Sequence, residues 1–443
     1  MSDQSAQAPV SSRVANADVI VIGAGAAGMM AAAFAAQRGQ RVMLLEKNSK
    51  VGVKILMSGG TRCNLTQDTD ARGIIKAFGH QGAFLRAALA PFGPHDVVQL
   101  FAQLGVPTKT EATGKIFPVS DRALDVQRAL LEFVRQSGAT LVTNSAVEEI
   151  GRLNDGTFRV QCAADAWMAP RIIVTTGGQS YPGCGTRGDG YAWMQHLGHT
   201  IVAPRPALVP VLVRADWAKA LSGITVPDVV VHLEDSAPSS RDQASPAGQK
   251  QAKRTATACR GSLLFAHFGL TGPAILDVSH HISRHPQPRQ LTLFCDFLPD
   301  RNAEQLQQLF VTQAQSDGKK RLSQLASEWL PRRLIEALLS QCQISEDQRL
   351  AELPRAARQA FIQHLKATPF PVSGTLGFEK AEVTAGGVAL DEVDAKSMHS
   401  KLVPGLYLAG ELLDLDGPIG GYNFQAAFST GRLAGLATPP GGP

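Results

Sequence analysis

The 443-residue chain has no paired cysteines, no Lys/Arg tract and no histidine cluster with metal-ligand spacing. Its six cysteines, Cys63, Cys162, Cys184, Cys259, Cys295 and Cys342, stand far apart without a CxxC pair. That excludes a disulfide framework and a zinc site and leaves reduced thiols. His280 and His281 are consecutive beside Asp277, so on a helix or strand they point in different directions, and no metal is expected. A formal charge of +5 with scattered basic residues excludes the basic arm of a nucleic-acid binder, so nucleic acid is not an expected partner. The leader Met1 to Ala17 lacks a basic segment followed by a cleavage site, so a disordered tail (1–17) and a cytoplasmic location are expected. The apolar run Val19 to Ala36 is about as long as a membrane span, but glycines interrupt it at regular spacing, and no membrane association is expected. There is no internal repeat, and no protein partner is implied.

What is present is an ordinary globular composition, 44% hydrophobic and 18% charged, on a chain long enough for two or three packed units. A short β-branched strand is expected over Asp18 to Ile22, then a glycine turn, a helix ending at Gly39 and a second strand over Arg41 to Leu45. Further strands are expected at Thr140 to Val142, Phe158 to Cys162 and Arg171 to Thr175. From Thr200 to Phe297 short runs such as Leu208 to Val213, Val229 to Leu233 and Leu291 to Phe297 predict a small β-rich domain. Within it, Glu234 to Ala258 is rich in Ser, Pro, Gln and Lys and reads as a mobile loop. Ala303 to Lys366 has helical spacing, with Leu334/Leu338 and Ile335/Leu339 one turn apart, and predicts an all-helical insert with its own core. A Gly-rich strand–loop pattern returns after Pro371 and ends in a helix from about Gly421 to Leu436.

Val19-Ile20-Val21-Ile22-Gly23-Ala24-Gly25-Ala26-Ala27-Gly28 places GxGxxG between a strand and a helix. Gly23 permits the tight turn, Gly25 lets the backbone approach a pyrophosphate, and Gly28 allows close helix–strand packing. The helix start offers its N–H groups and partial positive charge to that pyrophosphate. Glu46 ends the next strand, where a carboxylate can accept from ribose hydroxyls; Lys47 beside it could admit a 2′-phosphate, but the acidic residue favours an unmodified ribose. Two later segments favour FAD over a nicotinamide dinucleotide. Thr176-Gly177-Gly178 follows an apolar strand, and another strand ends in Gly410-Glu411, whose carboxylate can bond ribityl hydroxyls. Gly420-Gly421-Tyr422-Asn423 opens a helix that can aim its positive end at the flavin pyrimidine edge.

Gly52-Val53-Lys54-Ile55-Leu56-Met57-Ser58-Gly59-Gly60-Thr61-Arg62-Cys63-Asn64 resembles the GxKxxxSGxGRCN signature of a bacterial flavoprotein family of the BaiN/YhiN type, also called aminoacetone-oxidase-family FAD-binding enzymes. Similar blocks are Gly114 to Pro118, Thr176 to His199, Phe265 to Pro273 and Lys380 to Gly435, so the resemblance spans nearly the whole chain. It implies an α/β fold: a glutathione-reductase-like, Rossmann-type FAD domain (18–199 and 378–437), interrupted by a β-barrel-like domain (200–300 and 368–377) and a small all-helical insert (301–367). It also implies a cofactor site of Gly23, Gly25, Ala26, Ala27, Gly28, Glu46, Lys47, Lys54, Ser58, Gly59, Arg62, Asn64, Val147, Thr176, Gly177, Gly178, Gly410, Glu411, Gly421, Tyr422 and Asn423. Thr61 departs from the signature where a glycine usually stands, and Ala266 where a hydroxyl residue precedes His267.

The expected activity is that of an FAD-dependent oxidoreductase on a small molecule, a reductase drawing electrons from NAD(P)H. With one GxGxxG, NAD(P)H would be a transient donor and not a resident cofactor. The family's association with both activated double bonds and amines leaves amine oxidation as an alternative; an RNA-modifying flavoprotein and a non-catalytic FAD-binding protein are others. No catalytic residue is assigned. Cys63 is open between a redox thiol and a packing residue, His267 between a proton donor and a loop anchor, and Arg187 between a substrate carboxylate and a salt bridge with Asp189. Tyr181 and Tyr422 are open between flanking the flavin and ordinary turn packing.

Overall fold

The computed structural model describes residues 14–236 and 258–439. Two compact units emerge, one from Met1–Pro204 with Glu382–Pro443 and one from Arg205–Ala381. Most of the expected mobile loop, 237–257, lies outside the described residues, as do most of the leader and the last four residues.

The first unit is built on a five-stranded parallel sheet in the spatial order Leu406–Leu408, Ile172–Val174, Val19–Ile22, Val42–Leu45, Thr140–Val142. The strands are nearly continuous apolar runs because both faces of a parallel sheet are covered. From the central Val19–Ile22 the chain first builds outward through Val42–Leu45 to Thr140–Val142, then returns to the opposite side with Ile172–Val174. That reversal is a topological switch point, where a crevice opens beyond the carboxyl ends of the strands. Thr140–Val142 and Phe158–Cys162 fall as expected, the strands expected at Asp18 to Ile22, Arg41 to Leu45 and Arg171 to Thr175 shorten by a residue at one or both ends, and the expected helix runs Ala26–Ala36 instead of to Gly39. The apolar run Val19 to Ala36 is thus a strand, a glycine turn and a helix of which only Phe34 is not buried. Among the described residues no helix is long and apolar enough to cross a membrane.

A second sheet joins Val14–Asn16, Ala166–Ala169, Phe158–Cys162 and Val147–Arg152. Amphipathic helices Pro94–Gln103 and Ala123–Gln136 contribute Val97, Phe101, Val126, Leu130 and Phe133 to the core. The last helix, Tyr422–Ala437, crosses Ala26–Ala36 at backbone contact. A Cβ on Gly431 would lie 2.2 Å from the Ala27 carbonyl oxygen, and one on Gly435 would lie 2.3 Å from that of Ala31. Only glycine permits this approach.

The second unit closes a six-stranded barrel in the order Val211–Val213, Gly269–Thr271, Cys259–Ala266, Thr225–Asp235, Leu291–Asp296, Thr368–Thr375. All its pairings are antiparallel. The helix Pro273–Arg284 buries Ala274, Ile275, Val278 and Ile282 against it. Between the fifth and sixth strands come the helices Ala303–Ser316, Leu322–Ala326, Arg332–Gln341 and Arg355–Ala367. The insert is all-helical, but it does not carry a core of its own. Leu306, Phe310, Leu334, Leu338 and Phe361 belong to the same apolar cluster as Val231, Leu293 and Phe370 of the barrel. Helical spacing identifies an apolar face but not what that face will meet.

The helix crossing yields a test. Gly431→Ala forces backbone against backbone and should destabilise the protein by about 1–3 kcal/mol, the range of overpacked cores, read as a lowered urea midpoint. An unchanged midpoint would mean that the two helices are not in contact.

Candidate flavin site

The carboxyl ends of four neighbouring strands supply the site. Gly23 follows Val19–Ile22, Glu46 follows Val42–Leu45, Thr176-Gly177-Gly178 comes after Ile172–Val174, and Gly410-Glu411 after Leu406–Leu408. Each of the three fingerprint glycines has a different reason to be glycine. Gly23 has φ +98 and sits where a Cβ would be 2.8 Å from the Thr175 carbonyl oxygen. Gly28 would clash with the Gly23 oxygen at 1.8 Å. Gly25 has an ordinary φ of −83, and a Cβ there would meet nothing within 4 Å. Nothing in the protein requires glycine at that position, so the space beside it suits a ligand that approaches the main chain. Gly25 caps the helix Ala26–Ala36, whose first-turn N–H groups have no intrahelical acceptors. Ala26 and Ala27 are buried and offer main chain rather than side chain.

Glu46, 8% exposed, is held by the turn it serves. Its Oε2 accepts from Ala24 N (2.9 Å), and its Oε1 accepts from Asn48 N and Asn48 Nδ2 (both 2.9 Å). Main-chain bonds from Asn144 to Asn48 and from Ser145 to Glu46 bring the start of Val147–Arg152, hence Val147, beside this end of the site. Lys47 forms an ion pair with Asp189, so it is engaged within the protein and not waiting for a 2′-phosphate. The same pair answers the question of Asp189's partner, which is Lys47 and not Arg187.

The segment after Gly52 begins as a helix and then unwinds, with Ser58 extended and Gly59, Gly60 and Thr61 all at positive φ. Thr61 adopts φ +69, the conformation its missing glycine would take freely. Within the signature triplet the three side chains diverge. Arg62 stacks on Phe117, 3.9 Å from the ring centre, and donates to Glu111 at 2.6 Å; this ion pair holds its guanidinium above its ordinary pKa. Arg62 thus contacts the Thr108–Thr110 and Lys115–Pro118 hairpin. Cys63 is wholly buried, and desolvation pushes its thiol up to about 12, so it is a packing residue and not a thiolate. Asn64, with its amide oxygen facing Gly421, accepts from Gly421 N (3.0 Å) and donates to the carbonyls of Thr66 (2.9 Å) and Ile116 (3.2 Å).

Asn64 thereby anchors the start of the last helix. Gly421 has φ +88, and a Cβ there would lie 2.6 Å from the Thr66 carbonyl, so packing already explains this glycine without any ring above it. Asn423 accepts from Gly417 N (2.8 Å) and donates to Gly417 O (2.9 Å), closing the loop before the helix instead of presenting a free amide. Lys54 Nζ lies 2.5 Å from Glu411 Oε2 and 2.5 Å from Ser180 Oγ. Thr176 has its hydroxyl enclosed and without a partner among the described residues, so any ligand contact from it is through main chain. Tyr181 sits at φ +53, and His267 is exposed in the turn between two barrel strands with its ring edge-on to Phe268.

Asn48, Ser180 and Thr384 are not among the site residues read from sequence. Ser180 lies two residues beyond Gly178 and was within reach of the motif, whereas Thr384 sits in a strand with no local signal. A separate cavity of about 360 Å³, lined by Phe34, Phe92, Phe133 and Arg432 among others, contains none of the site residues.

The parallel sheet with its switch point, the open face at Gly25, and acidic residues at two strand ends define an FAD-dependent oxidoreductase with a Rossmann-type cofactor unit. A family model described as "HI0933-like protein Rossmann domain" matches residues 17–437, and the chain belongs to this family. The chain is 32% identical over 425 residues to a ribosomal RNA dihydrouridine synthase of Haemophilus influenzae, covering 94% of this chain and 97% of that one. It is also 32% identical over 420 residues to a 3-dehydro-bile acid delta(4,6)-reductase of Clostridium scindens, covering 94% and 98%. Among solved structures, a 3-ketosteroid-delta4-(5alpha)-dehydrogenase of Rhodococcus jostii RHA1 superposes with a TM-score of 0.51 at 16% identity, over 97% of this chain and 98% of that one, a likeness of fold.

Two variants test the site. Gly25→Val should leave circular dichroism unchanged and melt like flavin-stripped wild type, because a Cβ there meets no protein atom within 4 Å, while bound flavin falls to near zero; full flavin retention would displace the cofactor from this turn. Thr61→Gly should gain about 0.5–1 kcal/mol, the relief of a left-handed β-branched residue less the entropy glycine adds to the unfolded chain. Urea unfolding that shows a loss instead would mean that Thr61 is not strained.

Proposed function

We propose that this protein is a reductase that adds two hydrogens across a carbon–carbon double bond conjugated to a carbonyl group in a small organic molecule, with NAD(P)H as the transient electron donor. One observation carries the reading: two relatives matched over nearly their full length have different substrates in their names, yet both names describe saturation of a carbon–carbon double bond. Bound FAD supplies hydride chemistry that accommodates both a nicotinamide donor and such an acceptor. The chain's own part is to hold and tune the cofactor. The Gly25 main chain and the first turn of Ala26–Ala36 receive a pyrophosphate, Glu46 a ribose, and Glu411 a polyol chain. The N-terminus of Tyr422–Ala437, fixed by Asn64 and Asn423, contributes positive potential that favours a reduced, anionic ring. A single fingerprint, with no second dinucleotide-binding domain among the described residues, supports a donor that visits and leaves.

A second reading has uridine within ribosomal RNA as the acceptor. It is favoured by the Haemophilus influenzae relative, which is as similar as the reductase. The pyrimidine double bond is also conjugated to a carbonyl, so the chemistry is common and only recognition differs. The scattered positive charge gives no RNA-binding stripe, which favours the small molecule.

Anaerobic stopped-flow mixing of the flavin-loaded protein with NADH and with NADPH should bleach the flavin with at least one of them. Reoxidation should then follow addition of a conjugated steroid ketone but not of unmodified ribosomal RNA. Bleaching by an amine and not by either nicotinamide would make the protein an amine oxidase, and flavin that stays oxidised throughout would make it a scaffold. A gain of two hydrogens on RNA uridines, with salt-dependent RNA binding, would favour the second reading.

A further inference from the structure

One carboxylate of the first unit gathers two buried polar residues and a lysine. Glu411 is enclosed to the point that its side chain is 19% exposed, and it meets three different segments. Its Oε1 accepts from Ser180 Oγ at 2.8 Å and from Thr384 N at 2.8 Å, and its Oε2 accepts from Lys54 Nζ at 2.5 Å. Ser180 and Thr384 are both 0% exposed. Ser180 Oγ also accepts from Lys54 Nζ at 2.5 Å, so the hydroxyl relays between cation and carboxylate. Thr384 Oγ1 in turn accepts from the main-chain N–H groups of Gln179 (2.8 Å) and Ser180 (3.0 Å). A Cβ on Gly178 would sit 2.3 Å from that hydroxyl, so the glycine loop is seated directly on Thr384.

The count of acceptor sites gives this arrangement its meaning. A carboxylate has about four lone-pair sites. Two on Oε1 and one on Oε2 are filled by protein donors, which leaves one. A side chain held by three bonds loses little further freedom when it accepts a fourth, so its affinity is not reduced by an ordering cost. Lys54 pairs with Oε2 at 2.5 Å, and a charge-assisted bond is about twice as strong as a neutral one.

We propose that Ser180 and Thr384 are positioning residues that hold Glu411 with a single acceptor site left for a hydroxyl of the ribityl chain of FAD, and that Lys54 fixes its second oxygen. The assignment rests on the reading of Glu411 as part of the flavin site. It separates the cofactor's two halves: the Glu411 network serves the riboflavin half, whereas Gly25 and Glu46 serve the ADP half.

ADP is therefore the discriminating probe, since it contains the second half and not the first. Flavin-stripped protein carrying Ser180→Ala, Thr384→Val or Lys54→Met would be titrated with FAD and, separately, with ADP, and its melting recorded without ligand. Ser180→Ala and Lys54→Met should each weaken FAD about tenfold, the effect of losing one bond to a charged group; Thr384→Val keeps its main-chain bond to Glu411 but releases the Gln179 and Ser180 N–H groups that seat Ser180, and should weaken FAD in the same direction, while ADP affinity stays at the wild-type value in all three. Thr384→Ser, which keeps the hydroxyl, should restore FAD binding. Equal loss of FAD and ADP, or unchanged FAD in all three variants, would overturn the proposal. If the Thr384→Val protein does not fold, Ser180→Ala and Lys54→Met decide alone. Wild-type protein that binds ADP but not FAD would instead overturn the assignment of Glu411 to a flavin, a result distinct from failure of the variants.

Discussion

The structure of the cofactor unit depends on one close contact, the crossing of Ala26–Ala36 and Tyr422–Ala437 at glycine. These helices lie almost four hundred residues apart in sequence, and the entire second unit is inserted between them. Where they cross, Gly431 and Gly435 leave room for the carbonyls of Ala27 and Ala31. The same contact brings Gly410, whose N–H is received by Thr430 Oγ1 at 3.1 Å, onto the methyl of Ala27. The start of one helix is the Gly25 turn, and the turn held by the other bears Glu411. Backbone contact at glycine thus sets the distance between the two acidic anchors.

Strand order does the rest of the positioning. Adding Ile172–Val174 and Leu406–Leu408 on the side of Val19–Ile22 opposite to Val42–Leu45 aligns four carboxyl ends in a row. Every parallel strand delivers its following turn to the same edge of the sheet, so residues such as Glu46 and Glu411 face one crevice without any local sequence signal linking them. The antiparallel barrel needs no such rule. Its strands close on an apolar interior continuous with that of the helices inserted before its last strand.

Polar groups in the site are largely committed to one another. Glu46 is tied to Ala24 and Asn48, Glu411 to Lys54, Ser180 and Thr384, Lys47 to Asp189, and Asn64 to Gly421. Such bonding is the condition for keeping charge in a half-buried place, since an unpartnered carboxylate there would cost more than its interactions return. It also makes the site rigid before any ligand enters.

The glycine turn, the flanking strand and helix, Glu46 and the terminal helix were all legible in the sequence, because strand alternation, helix spacing and glycine punctuation are local properties fixed within a dozen residues. The resemblance carried by the Gly52–Asn64 signature extended that reading to the family. What remained out of reach were partners. Arg62 stands in the signature beside Asn64, yet it reaches Glu111 and Phe117 on a hairpin some fifty residues later, while Asn64 reaches Gly421 at the far end of the chain. Gly421 is readable as a helix-opening glycine, but that its neighbour is the Thr66 backbone is not. The helices after Ala303 show their apolar faces in sequence and conceal that those faces continue the barrel's core. Sequence by itself determined which residues turn, cap and bury, since these follow from backbone conformation and hydrophobicity. Only the tertiary structure decided which carboxylate meets which donor, because a hydrogen bond between residues hundreds of positions apart depends on strand order and helix crossing, and neither is written in any local stretch of the chain.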